Sequence, residues 1–286
     1  MNAQSGRAAT APGMVAITLV AGTGMAAVVA TSLGLMPLYG EPQPSLEGWR
    51  TAAPDLLLGV RESLLIALPA TLLAAVVGLL LAGLLLGGGP TASWVRLGCL
   101  AVLAVPHLVG ATSMGQLLGD GGLAARVAAP GLNSWPPLVA GPWPIATVLE
   151  LAWKESAFVA LVVFASLAPG HRQRMEVAAG LGASPLQRLT RVGLPAALPA
   201  IGASSLVTLV YAIGSYEVAW LLGRTAPEPL PVLAFRLFGS IELTDRPAAA
   251  AAAVTGAVLA IGIAGPILAA LPHLRSVLSL PTRTTR

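Results

Sequence analysis

The chain has 286 residues, of which 56% are hydrophobic and only 10% are charged. Soluble domains usually carry about a quarter charged residues, so this composition excludes an ordinary soluble protein. Several apolar runs exceed the roughly 20 residues that span a bilayer core, which predicts an all-α, polytopic membrane protein. The net charge of +4 does not indicate nucleic-acid binding, because the charges lie near the ends of the apolar runs.

About six transmembrane helices are predicted. In chain order they are Met14–Met36, Leu56–Leu86, Trp94–Leu117, Ile145–Ala168, Ala197–Leu222 and Pro247–Leu271. A cleaved signal peptide is the competing interpretation of the first segment, but its long apolar run favours a retained helix. Pro106 breaks the third segment, since a proline frees backbone carbonyls that neighbouring groups must satisfy.

The segments between the spans are predicted to be tails and loops. Loops are expected at 37–54 and 223–246, and a short surface helix is expected at 124–129 within a Gly- and Pro-rich region. Arg61 and Glu62 are expected at the membrane interface, where long side chains snorkel. The chain thus divides into a disordered cytoplasmic tail, a first helix with its external loop, a core of five transmembrane helices and a basic cytoplasmic tail, at 1–13, 14–55, 56–271 and 272–286.

Ionisable residues inside two spans are candidate functional groups, because charge in a membrane is costly. Glu150 and Lys154 are one helical turn apart in the favourable order, which favours a structural ion pair over a proton or cation path. Glu155 is expected near the bundle interior. Tyr216 and Glu217 could face a pathway, although local pairing near the outer surface is favoured.

Neither a metal site nor a nucleotide site is predicted. The three histidines are far apart in the sequence and have no carboxylate or cysteine neighbours at ligand spacing, and Cys99 is the only cysteine. The chain has no G-x-x-x-x-G-K-[ST] loop, so it is not expected to bind ATP through one. An energy source would have to be provided by a partner.

The most distinctive segment, here called the elbow, runs from His171 to Pro195 and places four arginines around Glu176. Gly182 is suited to the left-handed conformation that closes a first short helix at 176–181. Ser184 is a predicted N-cap, with Pro185 at the first helical position and Gln187 completing a capping box. The Leu194-Pro195 pair is expected to end this second helix. The pattern predicts a helix-turn-helix outside the lipid.

The distribution of arginine and lysine predicts the orientation. With six spans, both tails and the elbow lie on one side, which is rich in arginine and has one acid, Glu176. The opposite loops carry five arginines and seven acids. The positive-inside rule therefore places the elbow and both termini in the cytoplasm.

The order of residues in the elbow resembles the EAA motif of permeases in binding-protein-dependent ATP-binding cassette (ABC) importers. Glu176-Val177-Ala178-Ala179 and Gly182-Ala183-Ser184 match that pattern, followed at the family's distance by Leu194-Pro195. Val177 departs from the usual alanine. The looser resemblance extends from Leu57 to Leu271. In this family the elbow docks on the ATPase, so the resemblance implies that these residues contribute to coupling: Glu176, Ala178, Ala179, Gly182, Ala183, Ser184, Pro185, Gln187, Arg188, Leu194 and Pro195.

The resemblance further implies a type I importer permease in the cell membrane of a prokaryote, with no enzymatic activity of its own. It implies a second permease subunit, either a copy or a paralogue, an ATPase dimer that holds ATP and magnesium, and an extracytoplasmic substrate-binding protein. Residues 215–238 resemble permeases of the polyamine, thiamine and ferric-iron class, and Trp153-Lys154 also occurs in sugar permeases. The alternative is a secondary transporter that uses Glu150, Lys154, Glu155 and Glu217 for ion coupling.

Overall fold

The computed structural model describes the backbone of residues 3–128 and 135–278, and the side chains of residues 12–128 and 135–269. The described residues form helices and loops without strands, which confirms the predicted all-α class. The α-helices are α1 Ala3–Ser32, α2 Glu47–Gly87, α3 Gly89–Ala104, α4 His107–Leu118, α5 Leu123–Ala128, α6 Ile145–Leu167, α7 His171–Gly180, α8 Pro185–Arg188, α9 Leu194–Gly214, α10 Glu217–Leu222, α11 Leu230–Phe238 and α12 Arg246–Leu278.

The helices account for the six predicted spans in two ways. Four continuous helical stretches are long and apolar enough to cross a membrane, namely Pro12–Ser32, Glu47–Gly87, Pro185–Gly214 and Leu243–Ala269. Two bent helix pairs raise the number to six if each pair is counted as one span: α3 turns by 103° into α4–α5, and α6 turns by 65° into α7, which belongs to the elbow. The break at Pro106 is therefore confirmed, and it is a sharp bend between two separate helices.

Two helices begin earlier than predicted. Helix α1 begins at Ala3, so the prediction of a disordered tail at 1–13 is wrong from Ala3 onward. The loop predicted at 37–54 ends at Glu47, where α2 begins and continues for 41 residues. The Ser45 hydroxyl accepts a bond from the Glu47 amide at 3.1 Å, and Glu47 adds a favourable negative charge in the first turn. These polar start signals extend α2 beyond its apolar part.

The second half of the chain also differs from the prediction. The fifth span ends at Gly214, and the short helix α10 follows the extended Ser215. The predicted loop at 223–246 contains α11, whose Pro231 lies in the first turn, where a missing amide is tolerated. Helix α12 extends to Leu278, so the predicted tail at 272–286 is helical in its first part. The short surface helix is confirmed at Leu123–Ala128, while Ala129 lies outside the described residues.

The chain divides into two compact units. The first unit combines Met1–Val60 with Pro229–Val258. Its helices approach closely at small residues: a Cβ on Gly48 would lie 2.7 Å from the Pro247 carbonyl carbon, and one on Gly59 would lie 3.0 Å from Leu230 Cδ2. The alanines at 248–252 are buried. Small residues that permit close approach are typical of helix packing in lipid.

The second unit combines Arg61–Glu228 with Leu259–Arg286 and is organised around α6. This helix packs against α3, α4, α9 and α10. One side of α6 contacts α2 and α9 through Val159, Val163 and Leu167, and another contacts α2 and α3 through Ala157 and Ala160. One stripe of α6, formed by Ile145, Leu149 and Trp153, is exposed, whereas Glu150 and Lys154 lie on its buried faces.

We expect Gly78→Ala to destabilise the second unit by about 1–3 kcal/mol, as overpacking does. A Cβ at this position would lie 2.7 Å from the Val159 Cβ and 2.9 Å from the Ser156 carbonyl oxygen. Gly83→Ala is the matched control on the same helix, because its Cβ would have open space. Unfolding titrations in mixed micelles should separate the two variants, and equal midpoints would contradict this packing.

The elbow and an intramembrane polar cluster

The turn of the elbow has the predicted local structure. Gly182 adopts a φ of +82°, in the left-handed region that favours glycine. The Ser184 hydroxyl accepts from the Gln187 amide at 3.3 Å, and the Gln187 side chain accepts from the Ser184 amide at 2.9 Å. This capping box is confirmed, with Pro185 in the first turn of α8. Two backbone amides are thereby satisfied and the turn is held rigidly.

The two ends of the elbow differ from the prediction. The first helix begins at His171, five residues earlier than predicted, after Gly170 in the left-handed conformation. Leu194-Pro195 does not end the second helix: the π-helical residues Leu189–Gly193 connect α8 directly to α9. Pro195 lies in the first turn of α9. The helical path from Pro185 to Gly214 is therefore continuous, which allows displacement of the elbow to move a membrane-spanning helix.

The surface of the elbow combines exposed charge with exposed apolar groups. Arg172 Nε donates to Glu176 Oε1 at 2.8 Å, and both side chains are exposed, so this pair adds little stability. Val177, Leu181 and Leu186 are 59%, 84% and 68% exposed. A cleft of about 420 Å³ is lined by α7, Arg188 and the end of α2. Exposed leucines in a polar segment indicate a protein contact surface.

Most of the other predicted elbow residues are on the same accessible surface. Ala178 is buried against the rest of the elbow, whereas these predicted residues are exposed or half-buried: Ala179, Ala183, Ser184, Pro185, Gln187, Arg188, Leu194 and Pro195. Arg174 donates to the Leu167 carbonyl at the end of α6, at 3.1 Å. The elbow is thus connected to α6 at its start and to α9 at its end. Its role in coupling stays a prediction.

The stability of the elbow is expected to decrease as the pH falls below 6.5. Burial, and to a smaller extent Arg174, lowers the pKa of His171 from its ordinary value of 6.5. The folded elbow then binds fewer protons than the unfolded one, so its stability rises with pH and is lost as the pH falls. Amide exchange in α7, corrected for the intrinsic rate, should show less protection at pH 5.5 than at pH 7.5.

The matched variants for this measurement are His171→Gln and Gln173→Ala. The first removes the titrating group and should remove the pH dependence. The second changes an exposed, uncharged neighbour on α7 and should retain it. If His171→Gln keeps the pH dependence of the wild type, another group is responsible.

Lys154 is buried inside the second unit and binds backbone carbonyls at the C-terminal end of α3. Its ammonium donates to the Val102 carbonyl at 3.1 Å and to the Val105 carbonyl. Pro106 has no amide to donate to the Val102 carbonyl, which accepts from the Val105 amide at 3.2 Å in its place. Lys154, on the neighbouring helix α6, donates a further bond to this carbonyl and another to the Val105 carbonyl at the bend.

Glu150 is completely buried and faces a histidine rather than the lysine. The predicted Glu150–Lys154 ion pair is wrong, because Lys154 turns to the carbonyls of α3 and neither Glu150 oxygen has a hydrogen-bond partner among the described residues. His107 Nδ1 lies 3.5 Å from Glu150 Oε1, an ion-pair distance. His107 has no carboxylate neighbour at ligand spacing in the sequence, and the fold brings Glu150 to it from a different helix.

Glu155 completes the cluster on the other side of the imidazole. His107 Nε2 lies 3.6 Å from Glu155 Oε1, and the Thr208 hydroxyl donates to Glu155 Oε2 at 3.2 Å. The Tyr211 ring packs on His107, with 4.8 Å between the ring centroids. We call His107, Glu150, Lys154, Glu155, Thr208 and Tyr211 the polar cluster. It joins α4, α6 and α9 within the second unit.

Tyr216 and Glu217 are held by a different helix. Glu217 lies in the first turn of α10, and Tyr216 stacks on Trp220 with 6.1 Å between the ring centroids. The structure therefore brings together three of the five predicted intramembrane residues around His107. Whether Tyr216 and Glu217 face a pathway stays a prediction.

A second buried ion pair was not predicted. Glu62 is 2% exposed and accepts from Arg224 Nη2 at 2.5 Å, whereas Arg61 is exposed and 3.6 Å away. The expectation that Glu62 snorkels at the interface is wrong, because its side chain is buried and paired with Arg224. Only the three-dimensional fold brings these two residues together.

Comparison with known proteins identifies one sequence relative. No protein-family model matches the chain. Over 203 residues the chain is 32% identical to the inner membrane ABC transporter permease protein YnjC of Escherichia coli K12. The alignment covers 68% of this chain and 38% of that protein, so it spans well under half the length of the relative.

Solved structures share the fold. A bacterial alginate ABC transporter, solved with an alginate pentasaccharide-bound periplasmic protein, matches with a TM-score of 0.70 and 18% identity over 95% of this chain and 94% of its own. A second alginate importer structure gives 0.65 and 16%, covering 96% and 95%. The inward-facing methionine transporter MetNI gives 0.59 and 20%, covering 80% and 99%. At these identities the likeness establishes the fold.

Proposed function

We propose that this chain, which is related to inner-membrane ABC transporter permeases in sequence and to ABC importers in fold, is the permease subunit of an ABC importer. It would form the translocation pathway and couple ATP hydrolysis on a partner to solute uptake. The observation that carries the proposal is the rigid elbow, with its capping box, its left-handed Gly182 and its exposed leucines.

The elbow is suited to mechanical coupling because it is connected at both ends to membrane helices. Its Arg174 contacts the end of α6, and α8 continues through the π-helical residues into α9. When the ATPase dimer closes, a docked elbow would shift as a rigid body and carry α9 with it. Interfaces of this kind switch between discrete arrangements, which would give inward-facing and outward-facing states.

The partners in this proposal are an ATPase dimer that holds ATP and magnesium, a second permease and a substrate-binding protein. The chain itself would hold neither nucleotide nor metal and would not be an enzyme. The excess of arginine on the side of the elbow supports a cytoplasmic elbow and cytoplasmic termini. The resemblance of residues 215–238 to polyamine, thiamine and ferric-iron permeases, and of Trp153-Lys154 to sugar permeases, supports solutes of those types.

The secondary-transporter alternative is not favoured. In that alternative Lys154 would take part in ion coupling, but its ammonium is hydrogen-bonded to backbone carbonyls at the end of α3. The sequence relative and the structural neighbours are ABC transporters.

The decisive experiment is reconstitution of the chain in liposomes with and without its candidate ATPase. The permease should bind the ATPase and stimulate its ATP hydrolysis, and uptake should require both ATP and the binding protein. Uptake by the chain alone, driven by an ion gradient, would overturn the proposal. Failure of the ATPase to bind a correctly folded chain would do the same.

A further inference from the structure

The cleft of the elbow lies beside the end of a membrane-spanning helix. Leu86 and Gly87, the last two residues of α2, form one side of the cleft. The chain has no charged residue between Glu62 and Arg96, and the part of α2 in this stretch is longer than the roughly 20 residues that span a bilayer core. The end of α2 therefore reaches the level of the lipid head groups, and the cleft lies at that level.

One cation in the cleft has no counter-ion. Arg172, Glu176 and Arg188 all line the cleft, and Arg172 pairs with Glu176 at 2.8 Å. Arg188 forms no ion pair with a described side chain, and its buried Nε has no hydrogen-bond partner among the described residues. The Arg188 side chain is half-buried, so water screens its charge less than that of an exposed arginine. An anion that enters the cleft would therefore interact strongly with Arg188.

The rest of the cleft is mainly apolar. Leu86, Met175 and Ala179 line it together with the arginines. Its volume of about 420 Å³ is within the roughly 300–1,000 Å³ of small-molecule sites. An unpaired guanidinium beside apolar side chains suits a ligand that has an anionic and an apolar part, and a guanidinium matches the geometry of a phosphate. We infer that the cleft binds the phosphate of an anionic phospholipid from the membrane leaflet on the side of the elbow, with Arg188 as its main cation.

The proposed ATPase contact involves a different part of the elbow surface. Val177, Leu181 and Leu186, its exposed apolar residues, are not among the described residues that line the cleft. The excess of arginine on this side of the membrane favours anionic over neutral lipid, because each basic residue near the surface attracts anionic head groups. Lipid binding goes beyond the proposed transport function, and it can be measured on the chain alone, without an ATPase or a solute.

Native mass spectrometry of the full chain in neutral detergent, titrated with phosphatidylglycerol, tests this inference. We expect phosphatidylglycerol to bind in preference to phosphatidylcholine, which contains the same phosphate but has no net charge. Arg188→Gln should weaken the binding of phosphatidylglycerol by about five-fold or more, the effect of one basic residue at a membrane surface. The matched control is Arg191→Gln, which removes an exposed arginine of the elbow that is not among the described residues of the cleft. It should bind phosphatidylglycerol as the wild type does.

Ala179→Leu is a second variant in case Arg188→Gln does not fold. Ala179 is exposed, so a larger side chain there should reduce the space in the cleft without disturbing the helix, and it should also weaken lipid binding. Excess inorganic phosphate should not displace the lipid, because it lacks the apolar part that contacts Leu86 and Met175.

Three results would overturn the inference. Unchanged phosphatidylglycerol binding in both cleft variants would show that the lipid binds elsewhere. Displacement by inorganic phosphate would assign the cleft to a free phosphate. If Arg188→Gln loses ATPase binding but retains lipid binding, the cleft belongs to the ATPase interface.

Discussion

Replacing Lys154 by methionine is expected to destabilise the second unit by about 3 kcal/mol or more. Methionine keeps the length and apolar stem of lysine but removes the ammonium that donates to the Val102 and Val105 carbonyls. Hydrogen bonds within membranes average only about 0.6 kcal/mol, so these two bonds account for a minor part. Most of the effect should come from the Val105 carbonyl and the nearby Glu155 carboxylate, because a buried acceptor left without a donor costs about 1–3 kcal/mol and a charged group that loses a neighbouring cation costs more.

The matched control is Arg96→Met, which removes another long cation from the same unit. Arg96 is exposed and lies 5.5 Å from the centre of the Phe164 ring, an interaction worth about 0.5–1 kcal/mol. Unfolding titrations in mixed micelles should therefore show a much larger shift for Lys154→Met. If the two variants shift equally, Lys154 is not the group that stabilises the bend.

The elbow could be predicted in detail because its signals are local. The capping box needs only Ser184 and Gln187 three residues apart, and the turn needs only a glycine at position 182. The predicted bounds of the elbow helices were wrong at the positions where the local sequence does not determine whether the helix continues. Nothing near 194 indicates that the helix continues through π-helical residues, and the interval from His171 to Glu176 has a mixed composition typical of a loop or a helix.

The polar cluster could not be assembled from the sequence, although half of its residues were identified as candidates. The spacing of Glu150 and Lys154 on one helix favoured a mutual pair, whereas the actual partners are on α3 and α4. One signal was available. Pro106 has no amide for the carbonyl four residues before it, which favours an additional donor from another span, and Lys154 is the only lysine in the chain. His107, directly after that proline, was the residue to examine.

Gly182→Val is expected to reduce permease-stimulated ATP hydrolysis by roughly five- to thirty-fold. A β-branched residue is a genuine outlier at the φ of +82° observed here, and L-residues lose about 1–2 kcal/mol in the left-handed region. An energy of this size changes an equilibrium by the stated factor. Because a Cβ at this position would have open space, the effect would come from the altered turn and not from a steric clash.

The chain provides a closely matched control for this substitution. Gly40 has a φ of +80° and equally open space, but it lies in the loop predicted on the opposite side of the membrane. Gly40→Val therefore introduces the same backbone strain without affecting the elbow, and it should retain most of the stimulated hydrolysis. If both variants lose activity equally, strain in general is responsible. If neither loses activity, the geometry of the elbow does not determine coupling, and contact through its exposed leucines alone would have to be sufficient.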